Sequence, residues 1–319
     1  MHLVELVDNI SNCEHGGLPE VEITSVTADS RSVEPGACFV AVRGGNVDGH
    51  DFIAAAVKNG AVALVGEKEI SPLNVPYIQV PDSRKALAEI AAAWYGHPSR
   101  EIIVIGITGT DGKSTTANLL YEVLKRAEIP TGMVTTVNAV IGDEVLDTGL
   151  HVTTPDALEV QSYLSRMVAA GLTHCILETT SHGLAQHRVS AIEFDIGVVT
   201  NITHEHLDFH GSYQGYFNAK AMLFEALDPE THKSGGVTKT AILNRDDQSF
   251  HPLRERTKAR IVDYGVIAHA DVHAEAVQSG LDGLSMQIHG PGYMVDVSSP
   301  LVGSYNVSNI LAAFSAAVE

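Results

Sequence analysis

The stretch EIIVIGITGTDGKSTT, residues 101–116, decides the fold of this chain. Its first part, Glu101–Gly106, is almost continuously apolar, which is typical of a strand buried on both faces of a parallel sheet. A glycine-rich loop follows, and the run Ala117–Arg126 has the spacing of a helix. A strand, a glycine loop and a helix in this order predict a site where backbone N–H groups bind phosphate.

The loop contains the groups that nucleotide chemistry needs. Gly109 and Gly112 let the backbone pass close to a ligand. Lys113 is placed to reach the β- and γ-phosphates, and Ser114 offers a hydroxyl to Mg²⁺. The strict pattern G-x₄-G-K-[ST] needs a glycine where Ile107 stands, so the loop is a variant. The loop residues predicted to bind ATP are Gly109, Thr110, Asp111, Gly112, Lys113, Ser114 and Thr115.

Composition and charge exclude several functions. The chain has 319 residues, of which 45% are hydrophobic and 18% charged, so an ordinary folded protein is expected rather than a disordered one. A net charge of −19 argues against nucleic-acid or anionic-membrane surfaces. No apolar run approaches the ~18 residues that a membrane span needs. The acidic N-terminus is unlike a signal peptide, so we expect a cytoplasmic location.

Two α/β domains are predicted. Residues 1–98 alternate short β-like runs with helical ones, and His97-Pro98-Ser99 is a plausible linker. The strands of this domain are predicted over Val21–Val26, Cys38–Val42, Ala61–Val65 and Tyr77–Val80, and its helices over Phe52–Asn59 and Ser83–Tyr95. Residues 99–319 have the β-α-β rhythm of a doubly wound parallel sheet.

The second domain has further predicted elements after the phosphate loop. The strands are predicted over Thr173–Glu178, Ile196–Asn201, Thr240–Leu243 and Arg260–Tyr264, and the helices over Ala157–Ala170 and Ser308–Glu319. Asp228–Lys239 is predicted to be an exposed loop. The last helix reaches residue 319 without a terminating signal, so we expect the chain to be truncated.

The loop TGTDGKST resembles that of the Mur ligases, which is usually TGTNGKTT. These enzymes add amino acids to the UDP-linked peptidoglycan precursor. Further blocks occur in the order of the family: Asp29-Ser30-Arg31, Asp48-Gly49-His50, Thr153–Asp156, Glu178–Leu184, Gln186–Arg188, Thr200–Ile202, His206–Gly211, Lys220, Leu243–Asp247 and Gly303–Asn309. The blocks ETTSHGLAQHR and DSR…VDGH are most similar to the members that add the third residue. Asp111 departs from the usual asparagine and puts an acid beside the phosphates, which affects nucleotide affinity or metal demand.

The resemblance implies an ATP-dependent ligase with Mg²⁺. ATP would phosphorylate the D-glutamate carboxylate of UDP-N-acetylmuramoyl-L-alanyl-D-glutamate, and the amine of meso-diaminopimelate or L-lysine would displace the phosphate. A monomer is expected. In the family a third, C-terminal domain selects the amino acid, and we expect that domain to be absent from these 319 residues.

The resemblance also implies roles for particular residues. The metal ligands would be Ser114, Glu178, His206 and Lys220, with Lys220 as N6-carboxylysine, and the catalytic groups Lys113, Glu178, His206 and Lys220. The region around the nucleoside would include Asn244, Asp246 and Asn309. The precursor would be bound by Ser30, Gly45, Asn46, Val47, Asp48, Gly49, Thr153, Thr154, Thr180, Gln186 and Arg188.

The residue chemistry is consistent with these roles. Glu178 ends an apolar strand, at the sheet edge where ligands of α/β proteins bind, and a carboxylate there suits Mg²⁺. The histidines at positions 204, 206 and 210 lack a zinc-site spacing and have no cysteine nearby, so no zinc site is predicted. The ligand role of His206 is implied by the resemblance alone. Lys220 stands in a mostly apolar run, which is unusual for an exposed lysine.

Three alternatives remain open at this point. A stand-alone P-loop NTPase or kinase would use ATP without forming an amide. A binding-only fragment would hold the UDP-precursor or nucleotide without ligating. The ligase that extends the tripeptide to the pentapeptide shares the pattern of the first domain, although ETTSHGLAQHR fits it less well.

Overall fold

The computed structural model describes two compact units. The described residues are 1–11, 17–45, 47–70, 73–148, 154–231, 233, 237–266 and 269–319. Unit 1 comprises Met1–Pro98, Asp156–Ser165 and Gln186–Ile192, and unit 2 comprises Ser99–Pro155, Arg166–Ala185 and Glu193–Glu319. Two predicted precursor-binding residues, Asn46 and Thr153, lie outside the described residues.

Unit 1 is built on a four-stranded parallel sheet with the order β1-β2-β3-β4. Its elements are α1 (Leu3–Val7), β1 (Ser25–Thr27), β2 (Ala37–Val40), α2 (Ile53–Lys58), β3 (Ala63–Gly66), β4 (Tyr77–Gln79) and α3 (Ser83–Trp94), with a 3₁₀ turn at Gly49–Phe52. Every residue of β2 and β3 is buried, as expected for parallel strands covered on both faces. Asp82 caps α3 by accepting hydrogen bonds from the N–H groups of Arg84 and Lys85, both at 2.9 Å.

Unit 2 contains an eleven-stranded mixed sheet and the helices that cover it. Its first elements are β5 (Ile103–Thr108), α4 (Lys113–Arg126), β6 (Thr131–Val134), β7 (Asn138–Ile141), β8 (Glu144–Asp147), α5 (Ala157–Ala169, which begins in unit 1), β9 (His174–Glu178), α6 (Ser181–Ala185) and β10 (Ile196–Val199). The later elements are α7 (Leu207–His210), α8 (Tyr213–Glu225), β11 (Thr240–Asn244), α9 (Phe250–Arg256), β12 (Arg260–Gly265), β13 (Val272–Gly280), β14 (Gly283–Gly290), β15 (Tyr293–Ser299) and α10 (Tyr305–Ala317).

The strand order places the phosphate loop at the centre of this sheet. The order is β15-β14-β13-β12-β11-β10-β5-β9-β6-β7-β8, and the strands from β13 to β6 are parallel. The carboxyl ends of β5, β9, β10 and β11 therefore lie at the same edge, where ligands of open α/β sheets bind. Helices α4 and α10 contribute to the main hydrophobic core through residues such as Leu120 and Leu311.

The structure extends the predicted parallel sheet with antiparallel strands at both edges. Strands β13, β14 and β15 pair antiparallel, as do β6, β7 and β8. The sequence pattern missed these strands. Strands β8, β13 and β15 are largely solvated, while β6 and β7 are buried but only four residues long. No helix among the described residues is long and apolar enough to cross a membrane.

Several predicted elements differ from those in the structure: β1 occupies Ser25–Thr27 and α10 occupies Tyr305–Ala317, each displaced by a few residues from its prediction. Helix α4 begins at Lys113 rather than Ala117, because Gly112 with φ +81° ends the loop and lets the helix start at once. The predicted exposed loop Asp228–Lys239 is anchored in the interior at its described lysines: Lys233 and Lys239 both bind the buried carboxylate of Asp195. An ion pair between segments distant in sequence leaves no local pattern.

Candidate nucleotide and metal site

The phosphate loop requires both of its glycines. Gly109 has φ +150° and Gly112 has φ +81°, a region of backbone space that favours glycine. A Cβ atom at Gly109 would overlap the Thr200 hydroxyl, and one at Gly112 would overlap the Asn309 side chain. The loop is thus packed closely against its neighbours and opens directly onto the N-terminus of α4, where unpaired N–H groups attract phosphate.

The end of β10 holds the loop in place. The N–H of Thr110 donates to the Asn201 carbonyl at 2.7 Å, and the N–H of Asp111 donates to the Asn201 side chain at 3.1 Å. The Thr200 hydroxyl donates to the Asp111 carbonyl at 2.6 Å. These bonds fix the loop without a ligand, so binding phosphate needs little further ordering. Sequence reasoning had not given Thr200 and Asn201 this role, although their block was among those that resemble the family.

Ser114 and Glu178 are brought together as predicted metal ligands. The Ser114 hydroxyl donates to Glu178 Oε2 at 2.9 Å, and the Thr136 N–H lies 3.3 Å from the same oxygen. Glu178 is buried at the carboxyl end of β9. A hydroxyl and a carboxylate are hard oxygen donors, so this pair fits Mg²⁺. Lys113 donates from Nζ to the Thr110 carbonyl at 2.7 Å and so lies back over the loop.

Lys220 is buried beneath the phosphate loop. Only 1% of the residue is exposed, and its Nζ donates to the Gly109 carbonyl at 2.6 Å. The same Nζ lies 4.6 Å from the centre of the Tyr216 ring, one helical turn earlier on α8. Burial, followed by the charge of Lys113, holds the pKa of Lys220 well below its ordinary value.

Tyr216 connects the loop to the segment that carries His206. Its hydroxyl lies 3.0 Å from Thr110 Oγ1 and 3.4 Å from Glu205 Oε2, and burial raises its pKa to about 12. Sequence reasoning missed Tyr216, whose position four residues before Lys220 was the available signal.

His206 lies in a cluster of rings. Its backbone has φ +52°, its Nε2 is 3.6 Å from Glu205, and its ring centre is 4.8 Å from that of His182. Within the described part of the chain, no group of three His, Cys, Asp or Glu side chains is arranged to hold a metal ion. The structure therefore joins Ser114 with Glu178 directly, whereas the contribution of His206 and Lys220 to a metal site remains a prediction.

Of the three residues predicted near the nucleoside, Asn244 and Asp246 lie at the end of β11 and Asn309 lies on α10. Asn244 donates from Nδ2 to the Thr200 carbonyl at 2.6 Å, and Asn309 lies against Gly112. Asp246 accepts the Val266 N–H at 2.7 Å and so stabilises the turn after β11. Asn244 and Asn309 are thus close to the phosphate loop, while Asp246 is engaged at the end of β12.

The predicted precursor-binding residues divide between the two units. In unit 2, the hydroxyls of Thr154 and Thr180 lie 3.1 Å apart, and Thr154 is 3.3 Å from the Glu178 carbonyl. In unit 1, Gln186 accepts a hydrogen bond from Arg188 at 2.8 Å, and burial lowers the pKa of that guanidinium.

Unit 1 also contains a cleft of about 780 Å³ that includes three of the predicted residues, Ser30, Val47 and Gly49, in its lining. Asp48 is engaged elsewhere: its carboxylate lies 2.8 Å from Lys68 and 2.6 Å from His50 Nδ1. Gly45 is exposed. The cleft also includes Asp29 and Arg31, and the hydrogen bond from Arg31 lowers the pKa of Asp29 to about 2.

Comparison with known proteins identifies the family. Residues 107–317 match the Mur ligase middle domain, and residues 22–95 match the Mur ligase family catalytic domain. The chain belongs to the Mur ligase family. The resemblance of its phosphate loop to that family, and the α/β fold with the two Mur ligase domains, are thereby confirmed.

Mur ligases that add the third residue are among the similar proteins. The UDP-N-acetylmuramyl-tripeptide synthetase of Roseiflexus sp. is 41% identical over 327 residues, which cover 99% of this chain and 64% of the relative. The UDP-N-acetylmuramoyl-L-alanyl-D-glutamate–2,6-diaminopimelate ligase of Geobacillus thermodenitrificans is 40% identical over 301 residues, covering 94% and 60%. A solved structure of a ligase with the latter name is similar with a TM-score of 0.83 and 26% identity, covering 100% of this chain and 63% of that one. The chain thus spans between 60% and 64% of the length of these proteins.

Proposed function

We propose that this Mur ligase chain binds ATP and UDP-N-acetylmuramoyl-L-alanyl-D-glutamate, and that the ligase it represents joins a diamino acid to the D-glutamate carboxylate. The observation that carries the proposal is the phosphate loop with Ser114 bonded to Glu178 and with Lys220 buried beneath it. The names of the similar proteins support the third-residue step, and several of them specify 2,6-diaminopimelate. We further propose that the ligation takes place in the cytoplasm and that the enzyme is a monomer.

The chemistry begins with transfer of the γ-phosphoryl group to the precursor carboxylate. The loop N–H groups and Lys113 neutralise the charge that spreads over the phosphoryl oxygens, for which Lys113 must leave the Thr110 carbonyl. Mg²⁺ would be held by Ser114 and Glu178, with His206 and carboxylated Lys220, and would supply further charge neutralisation. The amine of the diamino acid then attacks the acyl phosphate, forms the amide bond and releases phosphate.

Lys220 has the environment that carboxylation needs. A neutral amine attacks CO₂ and loses one proton, which yields the N6-carboxylate. Keeping an ordinary lysine neutral at pH 7 costs about 4.6 kcal/mol, since its unperturbed pKa is ~10.4. The burial that lowers the pKa of Lys220 reduces this cost.

Residues of both units are proposed to contact the precursor. In unit 1, Ser30, Val47 and Gly49 line the cleft proposed for the uridine end, and Arg188 suits a carboxylate or pyrophosphate. In unit 2, the hydroxyls of Thr154 and Thr180 suit the sugar and amide groups of the peptidyl end.

Calorimetry on this chain tests the proposal. ADP with Mg²⁺ and the UDP-precursor should each bind. Lys113→Ala should weaken ADP binding at least 10-fold while changing precursor binding less than 3-fold, because the Lys113 ammonium lies at the phosphate loop. An equal loss of affinity for both ligands would contradict the inference that they bind at separate sites. Phosphate release from ATP that does not depend on the precursor would instead favour a stand-alone NTPase.

A further inference from the structure

The Asp111 carboxylate is a charge in the phosphate loop that the proposed chemistry does not use. Both backbone groups of Asp111 are bonded, the N–H to Asn201 and the carbonyl to the Thr200 hydroxyl. The residue is exposed, and it stands between the two loop glycines. The Asp111 carboxylate thus adds a negative charge to a loop where a phosphate chain is expected to bind.

Carboxylates outnumber lysines among the charges that act on Lys220. Asp111, Glu178 and Glu205 all lie close enough to Lys220 to raise its pKa, whereas Lys113 lowers it. Three carboxylates therefore share the site with two lysines. One of these lysines, Lys113, is directed to the Thr110 carbonyl, and the other, Lys220, is buried under Gly109. A nucleoside diphosphate would bring further negative charge into this arrangement.

We propose that the Asp111 carboxylate makes nucleotide binding dependent on a divalent cation, by repelling phosphate that arrives without one. A cation bound to the phosphates cancels much of this repulsion, so the nucleotide–metal complex is accepted and the free nucleotide is disfavoured. The inference deepens the proposed function and rests on it, because it assumes that the loop binds nucleotide phosphates.

The expected effect follows from Coulomb's law. A unit charge about 8 Å from one phosphate, at an effective dielectric constant of about 30, changes affinity about 10-fold. Asp111→Asn removes the charge and keeps the shape of the side chain, and it leaves both backbone hydrogen bonds of the loop available. Asp282→Asn is the matched control, since Asp282 is exposed in the turn between β13 and β14.

The experiment measures ADP binding by calorimetry, once with excess EDTA and once with excess Mg²⁺. Asp111→Asn should bind metal-free ADP about 10-fold more tightly than the parent chain, and this gain should exceed any change in its affinity for Mg·ADP. Asp282→Asn should match the parent in both conditions. Raising the ionic strength should reduce the difference between Asp111→Asn and the parent in EDTA, because the carboxylate is exposed.

Several results would overturn the inference. Equal changes with and without Mg²⁺, weaker binding in both, or no change would each show that the carboxylate does not set the metal dependence. These results leave the proposed function intact, because ADP still binds. If the parent chain binds ADP in neither condition, the proposed function fails as well.

Discussion

Replacing Asp195 with asparagine should destabilise unit 2 severely. Asp195 precedes β10 and is 1% exposed. Its Oδ1 lies 3.0 Å from Lys239 Nζ, and its Oδ2 lies 2.6 Å from Lys233 Nζ and accepts the Val104 N–H at 2.8 Å. One carboxylate therefore pairs with two buried lysine side chains and joins the amino ends of β5, β10 and β11.

The expected loss of stability follows from the hydrogen-bonding groups of the asparagine side chain. Asparagine has one acceptor oxygen, and its NH₂ group would face an ammonium, so at least one lysine loses its carboxylate partner. That lysine keeps only a backbone acceptor, the Ile102 carbonyl for Lys233 or the Phe194 carbonyl for Lys239, which leaves its charge unpaired. Removing one member of a buried ion pair costs about 3–5 kcal/mol, because the remaining charge stays desolvated. That cost corresponds to a fall of roughly 6–20 °C in the unfolding temperature of a unit of this size.

Thermal unfolding followed by circular dichroism measures the effect, with Asp282→Asn as the control for loss of an exposed carboxylate. The triple variant Asp195→Leu, Lys233→Met and Lys239→Met should recover most of the loss, since apolar groups of similar volume replace buried ion pairs at little cost. A change below about 1 kcal/mol in Asp195→Asn would refute the reasoning, because it would mean that the two lysines find other partners or solvent.

Two further predictions concern the phosphate loop. Gly112→Ala should weaken ADP binding at least 10-fold in calorimetry, because its Cβ would overlap Asn309 and alanine is strained at φ +81°; unchanged affinity would mean that the loop can shift without loss. Native mass spectrometry in bicarbonate should find the mass of one CO₂ on the chain, absent from Lys220→Arg; the same added mass on the variant would place the modification elsewhere.

The sequence predicted the central part of unit 2 well, because the signals there are local. The run Glu101–Gly106 predicted a buried strand, and β5 occupies Ile103–Thr108 at the centre of the sheet. The spacing of Gly109 and Gly112 before Lys113 predicted a phosphate loop, and their φ angles have the values that favour glycine. Glu178 was expected at the end of a strand and lies there, bonded to Ser114.

Contacts between distant segments were decided by the tertiary structure alone. The bond from Lys220 to the Gly109 carbonyl joins residues 111 positions apart, and the bond from Lys233 to Asp195 joins residues 38 positions apart. Asp48, predicted to face the precursor, forms an ion pair with Lys68 and a hydrogen bond with His50 Nδ1. The sequence by itself determined the central parallel strands, the helices beside them and the phosphate loop, because periodicity and glycine conformation act over a few residues. Only the tertiary structure decided which charges are buried together, because the partner of a buried charge depends on which strands become neighbours in the sheet.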